Sequence, residues 1–297
     1  METRRLQYFI QIVDSGSINR AAGLIGIAQP ALSQQIAILE HELKTRLLDR
    51  SSSGVTPTNA GKALYARAQV IVRQVANLQA DLVAPAGEVA GTVALGLPPS
   101  HGLALGEAIL ARTLRDLPRL RLHIVEAGAV ALSEQLERGL LDLAISAVRN
   151  QNPDVRADPL FQEDLMLISA PNVGPMPSDL AAIAALPWIV SASPNAIRGQ
   201  LGALFAHGDL TPNVVAEVNS LPLVVRAVEA GLGVTLLPRG AVVEALDAGR
   251  LHASPIAGTT ARRTVYLCAQ RTVQPTAATQ AIRAIVEAVA ADFRASL

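Results

Sequence analysis

The chain has one cysteine in 297 residues, Cys268, so no disulfide can form within it and a reducing compartment is the expected setting. Cys268 falls in an apolar strand pattern and reads as a buried, inert thiol. The five histidines, His41, His101, His123, His207 and His252, are scattered, with no Cys or acidic partner at metal-ligand spacing. No metal and no cofactor are expected. There is no GxSxG elbow, no phosphate-binding loop and no intact dinucleotide glycine fingerprint. Gly231-Leu232-Gly233 sits where a helix should end and reads as a cap. With no catalytic constellation, the chain is not expected to be an enzyme. METRRLQYFIQ lacks the long apolar stretch of a leader, and no apolar run approaches a membrane span. A soluble cytoplasmic protein without a membrane partner is the expectation. Net charge is also lacking, at zero, but its balance is uneven. Residues 1–82 hold nine Lys/Arg against six Asp/Glu, leaving 16 of the 25 basic and 19 of the 25 acidic residues for the rest. A basic head on an acidic body suits a molecule of which one end meets phosphate. Half the residues are hydrophobic, enough for two or three domains to bury a core each.

What is present is clearest over residues 17–40, SINRAAGLIGIAQPALSQQIAILE. Ser17 reads as an N-cap, Ile18, Ala21, Ala22 and Ile25 recur at helical spacing, and Gly26 closes the helix in a left-handed turn. Pro30 suits the first turn of the next helix, whose amide has no helical partner. Leu32, Ile36 and Leu39 form its buried stripe. Pro30, Gln34 and Ala37 point away from that stripe, with Gln29 and Ser33 on the flank. Two short helices and a tight turn, the second uncharged and amide-rich outside, are the pattern of a helix-turn-helix. Glutamine pairs bidentately with adenine, serine serves as donor or acceptor, and small apolar groups meet the thymine methyl. Before this stretch, Leu6, Phe9, Ile10 and Val13 mark one face of a helix ending at Asp14-Ser15-Gly16. Arg4, Arg5, Arg20, Lys44, Arg46 and Arg50 flank the second helix, whereas Ala21 to Leu43 contains no Lys or Arg. That division suits a basic rim on phosphates around a neutral face on bases. The Ser-Gly turn between Leu47-Leu48 and Val55 reads as a short hairpin wing. Thr58 or Asn59 then caps a long helix. Its Leu64, Ala68, Ile71, Val75, Leu78 and Leu82 alternate in steps of four and three, a self-pairing seam that would place two heads on one DNA site.

Residues 1–65, especially FIQIVDSGSINRAA, AQPALSQQI, LEHELKTRLLDR and VTPTNAGK, resemble the winged-helix head of LysR-type transcriptional regulators. The likeness is strongest to the nitrogen-assimilation-control branch. It implies double-stranded DNA, a pseudo-palindromic operator, as partner, with base contacts from Gln29, Pro30, Ser33 and Gln34 and a phosphate grip from Arg50. Arg20 and Thr56 of the wing join the implied DNA-binding set. Self-association to a dimer and a tetramer of two dimers is also implied, as is RNA polymerase as a further partner. The chain departs from the family at Ser53, where a basic wing residue is common, and at Leu48, where Phe is commoner.

Beyond a Pro/Gly-rich hinge, APAGEVAGT, apolar runs alternate with helical stretches: TVALGL, LRLHIVE, LDLAIS, DLMLIS, PWIVSA, VVAEV, GVTLLP and TVYLCA. This pattern predicts a parallel or mixed sheet with helices on both faces. HIVEAGAVALSEQLERGLLDLAI from His123 and VAEVNSLPLVVRAVEAGLGVTLL from Val215 share a strand, acid, cap, helix, Gly-Leu and strand order, aligning Glu126 with Glu217 and Gly139 with Gly231. Two similar lobes follow. The expected architecture is an all-α winged helix-turn-helix over 1–58, a dimerising linker helix over 59–87, and an α/β two-lobed effector-binding domain over 88–297. The resemblance, weaker here, implies a body similar to periplasmic solute-binding proteins, crossing near Leu160 and Cys268. Lobe I is expected at about 88–161 and 268–297, lobe II at about 162–267. Ligands in such sheets sit at strand carboxyl ends beside helix N-termini. Ser100, His101, Ala129, Asn195, Ala196, Asn219 and Ser220 mark those points, together with Gly128. A small-molecule effector, a carboxylate by charge, is expected there, with Arg149 and Arg198 near enough to pair with it. The body alone would also suit a solute-binding or transport component, or an enzyme using the cleft. The head argues against the first and the missing catalytic residues against the second.

Overall fold

Leu6, Phe9 and Ile12 lie on one face of the first helix, α1 (Thr3–Ser15), and all three are buried. In the computed structural model, residues 2–51, 54–83, 88–174, 176–192, 196–206, 208–256 and 261–296 are described. The expected face of α1 is therefore rotated slightly: Ile10 and Val13 pack at its margin and Ile12 takes the centre. α1 is covered from two sides, by α2 and α3 and by the long helix that follows, so its buried stripe is wider than one neighbour would require. α2 (Ile18–Ile25) is capped by Ser17, whose side chain accepts from the Arg20 amide, and ends at Gly26 with φ 78°. α3 (Gln29–Leu43) starts with Pro30 in its first turn and buries Leu32, Ile36 and Leu39 completely. Each such side chain is worth about 1.5–3 kcal/mol of transfer free energy.

The wing is a two-stranded antiparallel hairpin, β1 (Leu48–Ser51) and β2 (Gly54–Pro57). Its tip, Ser53 included, lies outside the described residues. The wing is tied to the helices because the Val55 amide donates to the Gly16 carbonyl at 3.0 Å. Thr58, rather than Asn59, caps α4 (Asn59–Val83), its hydroxyl accepting from the Gly61 amide at 3.0 Å. A Cβ at Gly61 would stand 2.0 Å from the Leu47 carbonyl oxygen, so only glycine lets α4 leave the wing this closely. The seam of α4, expected to be given over to self-pairing, is divided. Leu64, Ala68 and, off the seam, Tyr65 and Val72 pack into the head, and Tyr65 hydrogen-bonds Asp14. Ile71, Leu78 and Leu82 remain exposed at 40%, 58% and 77%.

Met1–Thr92 with Arg138–Leu140 form one compact unit, and the rest of the chain forms a second. The second begins with β3 (Gly91–Leu97), the short α5 (Pro99–His101), a π-type turn and α6 (Glu107–Asp116). β4 (Leu120–Glu126), α7 (Ala129–Glu137) and β5 (Leu143–Ser146) follow, and β3 pairs in parallel with β5. β6 (Val155–Ser169) is longer than its DLMLIS run implied. Its first two thirds, Val155 to Asp164, pair antiparallel with β11 (Arg262–Gln270). The register slips between Val265 and Tyr266, which leaves Leu160 unpaired as a bulge at the expected crossing. Beyond it come α8 (Leu180–Ala184), β7 (Trp188–Ser191), α9 (Ala196–Ala206), β8 (Val214–Val218), α10 (Leu221–Glu229), β9 (Thr235–Pro238), α11 (Val243–Asp247) and β10 (His252–Ser254). β7 pairs in parallel with β8, while β9 and β10 run antiparallel to β6. α12 (Ala277–Ser296) closes the chain. Gly139 and Gly231, aligned by the internal repeat, both adopt left-handed φ, 72° and 73°, at their helix ends. Trp188 is fully buried edge-on to Phe205 and donates its indole N–H to the Ile183 carbonyl at 3.0 Å.

Candidate functional site

Gln29, Pro30, Ala31, Gln34 and Ala37 on α3 are exposed, and Ser33 is half-buried. Ala28 precedes α3 without a side-chain cap, so the first amides of the helix stay open to an anion. Gln29 Nε2 donates to Ser33 Oγ at 2.8 Å, while no hydrogen bond of the Gln34 side chain is found among the described residues. Arg4, Arg20, Lys44, Arg46 and Arg50 are exposed around this face. Thr56, beside Asp49 in the wing, is exposed as well. Arg5 does not belong to that rim. Its guanidinium donates to Gln35 at 3.1 Å and Glu42 at 2.5 Å, and pairs with Glu2 at 3.2 Å, so its charge is spent inside the head.

The body holds a cavity of about 440 Å³ at the expected strand ends. Ser100, Ala129, Ala196 and Asn219 line it, with Glu126 and Ser191. α7 and α9 begin at Ala129 and Ala196, so the first turn of each helix borders the cleft. Asn195 lies outside the described residues. His101 and Ser220 were expected here and are not among the lining residues. Ser220 is exposed at the start of α10. His101 is fully buried behind the wall, Nε2 lying 3.2 Å from Glu163 Oε1, because a ring at the strand end turns toward the nearest buried carboxylate. Arg149 and Arg198 are not cleft residues either. Arg149 lines a neighbouring cavity and Arg198 pairs with Glu217 at 3.4 Å.

The cation on the cleft wall is Arg263, which sequence reasoning missed. Arg263 and Glu163 face each other across β11 and β6, and both are nine-tenths buried. Arg263 Nε donates to Glu163 Oε1 at 2.7 Å. Nη2 lies 2.6 Å from the same oxygen but off the line of a hydrogen bond, so it has no aligned acceptor. Burial opposes the Glu163 charge, but His101 and Arg263 outweigh it and hold the carboxyl below its usual range. A signal was present in the sequence. Residues 161, 163, 165 and 167, like 263, 265 and 267, alternate onto the buried side of their strands, placing one charge in each apolar row. Glu126, also on the cleft wall, reaches the backbone of Gly102, where a Cβ would stand 1.9 Å from Glu126 Oε1.

Among the described residues no group of three or more His, Cys, Asp or Glu is arranged to hold a metal ion, and no single helix is long and apolar enough to cross a membrane. A helix-turn-helix with an open amide-bearing face, on a chain that carries a ligand-sized cleft in a separate unit, defines a DNA-binding transcriptional regulator with an effector-binding domain. Residues 3–62 match the bacterial regulatory helix-turn-helix of the lysR family, and residues 86–291 match the LysR substrate-binding domain. The chain belongs to the LysR family of transcriptional regulators. It is 36% identical over 242 residues to the nitrogen assimilation regulatory protein nac of Klebsiella aerogenes, covering 81% of this chain and 79% of that protein. The Escherichia coli protein of the same name is 35% identical over the same length and coverage. A full-length OxyR variant from Pseudomonas aeruginosa shares the structure with a TM-score of 0.70 at 25% identity, over 97% of this chain and 94% of that one. The regulator CbnR, solved in complex with its target DNA, shares the fold with a TM-score of 0.75 at 21% identity, over 99% and 100% of the two chains. These relatives are regulators, not enzymes.

Proposed function

We propose that this regulator is a homo-oligomer that reads a pseudo-palindromic operator and responds to a small-molecule carboxylate held between the two lobes of its body. Gln29, Pro30, Ser33 and Gln34 make the base contacts, while Arg20, Arg50 and Thr56 hold phosphates on either side. Residues 1–58 act as the head, 59–87 as the pairing helix and 88–297 as the effector domain. The exposed Leu78 and Leu82 support self-pairing through α4, since exposed leucines in register on one helix gain most from a partner. Arg263 carries the carboxylate reading: a buried guanidinium on the cleft wall with one nitrogen lacking an aligned acceptor. A ligand carboxylate there would receive a charge-assisted hydrogen bond that Glu163 does not take. Ser100, Ala129, Ala196 and Asn219 complete the set around it.

The test is fluorescence anisotropy of the protein on its own upstream DNA, with short carboxylates and their matching amides added. Sequence-specific binding that shifts several-fold with an acid and not with its amide is the expected result. Exchanging Arg263→Met together with Glu163→Gln should abolish that response. Equal effects of acid and amide would overturn the carboxylate reading, and absence of DNA binding at low salt would contradict the assignment of the head.

A further inference from the structure

A second cavity, of about 530 Å³, adjoins the cleft. Leu132 and Leu136 of α7, Ala144 of β5, Val148 and Cys268 give it apolar walls. Burial pushes the Cys268 thiol up to about 11, with Asp158 adding to the shift, so the sulfur is neutral and contributes apolar surface. Three of the polar residues that line it, Ser133, Glu137 and Asn150, are partnered with one another. Asn150 donates to Ser133 Oγ at 2.6 Å, and Ser133 donates to Glu137 at 2.9 Å. They make no demand for a polar ligand group, and the exposed Arg149 stands at the outer edge. The two cavities share two wall residues, Ala129 and Ala196. Both are alanines, so each contributes only a methyl group to the boundary. The arrangement is graded: one compartment with a buried cation on its wall, the next with an apolar wall of Leu132, Leu136, Ala144 and Cys268, and a low sill between them.

We infer that the effector is an elongated amphipathic carboxylate, its acid group at Arg263 and its apolar tail running over Ala129 and Ala196 against Leu132, Leu136 and Cys268. This rests on the carboxylate reading of the cleft and adds the shape of the molecule behind the acid. A two- or three-carbon acid held at Arg263 occupies the first compartment alone and leaves the second without a partner. Binding should therefore strengthen with chain length, because every methylene that crosses the sill leaves water for an apolar wall. Substitutions at the sill should weaken long acids more than short ones.

Calorimetric titration of the full chain with propionate, hexanoate and octanoate tests this. Affinity is expected to rise about three- to fourfold per added methylene, as burial of a CH₂ predicts. Octan-1-ol, with the tail but no charge, is expected to bind at least about tenfold more weakly than octanoate. Ala129→Phe, which raises the sill, and Val148→Trp, which fills the second compartment, should each lower the octanoate-to-propionate affinity ratio about tenfold or more. That ratio does not depend on the fraction of folded protein, so a destabilised variant still reports. Equal affinity for propionate and octanoate, or an unchanged ratio in both variants, would overturn the elongated ligand while leaving the carboxylate cleft intact. Octanol binding as tightly as octanoate would overturn the placement of the head at Arg263. If no acid of any length binds, the carboxylate reading itself fails and this inference with it.

Discussion

Gln34 and Arg50 are both exposed, yet the roles proposed for them differ, base reading for Gln34 and phosphate holding for Arg50. Gln34 projects from the neutral face of α3, and a lost bidentate contact to one base costs about 1–3 kcal/mol. Gln34→Ala is expected to weaken the cognate operator by that amount and to leave random DNA unchanged. Arg50 sits on the wing among the basic side chains, where a single phosphate contact is worth about one unit of salt slope. Arg50→Ala should weaken every sequence alike and reduce that slope by about one. Anisotropy on cognate and scrambled duplexes across a salt series checks both. Glu163 lends itself to a pH experiment. Its folded carboxyl titrates below its ordinary value of 4.5, so the stabilisation is fully present above that value and is lost as pH falls through the folded one. Glu163→Gln removes this acid-side dependence and leaves Arg263 buried without its partner, at a cost of roughly 3–5 kcal/mol. Melting temperatures of the two chains between pH 7 and pH 3 measure the difference.

The helix-turn-helix was legible in the sequence because its signals are local. Ser17, Gly26 and Pro30 act within one turn of their own position, and the stripe Leu32, Ile36 and Leu39 needs only the helical period. The wing followed from its Ser-Gly turn for the same reason. β10 and the first half of β6 were not legible, because pairing across about a hundred residues, rather than an apolar run, defines them. The Arg263–Glu163 pair shows the limit best. The alternation that buries each charge is visible in its own strand, but the register that sets them face to face is a property of two distant segments. His101 was placed in the cleft for its position after β3, and only the packed structure reveals a carboxylate on the other side of it. α4 marks a boundary of a different kind: its period is regular, yet the head covers Leu64 and Ala68 and leaves Leu78 and Leu82 open. Replacing both Leu78 and Leu82 with Ser is therefore expected to shift self-association toward single chains without lowering the stability of the head core. Sedimentation velocity together with thermal melting distinguishes that outcome from general unfolding.

Each compact unit of the molecule has its own buried apolar residues: Leu6, Phe9, Leu32 and Ala68 in the first, and Leu132, Trp188, Val224 and Leu236 among those of the second. A ligand that binds only the folded body should stabilise that unit by mass action, by about 2.7 kcal/mol at a hundred times its dissociation constant. Scanning calorimetry with octanoate is expected to raise the transition of the second unit and to leave the first where it was. A uniform shift of both would mean that the acid acts on the chain as a whole. The bond between Gln29 and Ser33 has a consequence for how the protein searches a genome. In the free head these two side chains already satisfy each other, so a matching duplex offers them an exchange of partners with little net gain. Under the base contacts proposed above, a mismatched duplex that forced them apart would leave both dehydrated with nothing to bind. On that proposal the α3 surface would gain its selectivity from rejecting wrong sites more than from clinging to right ones.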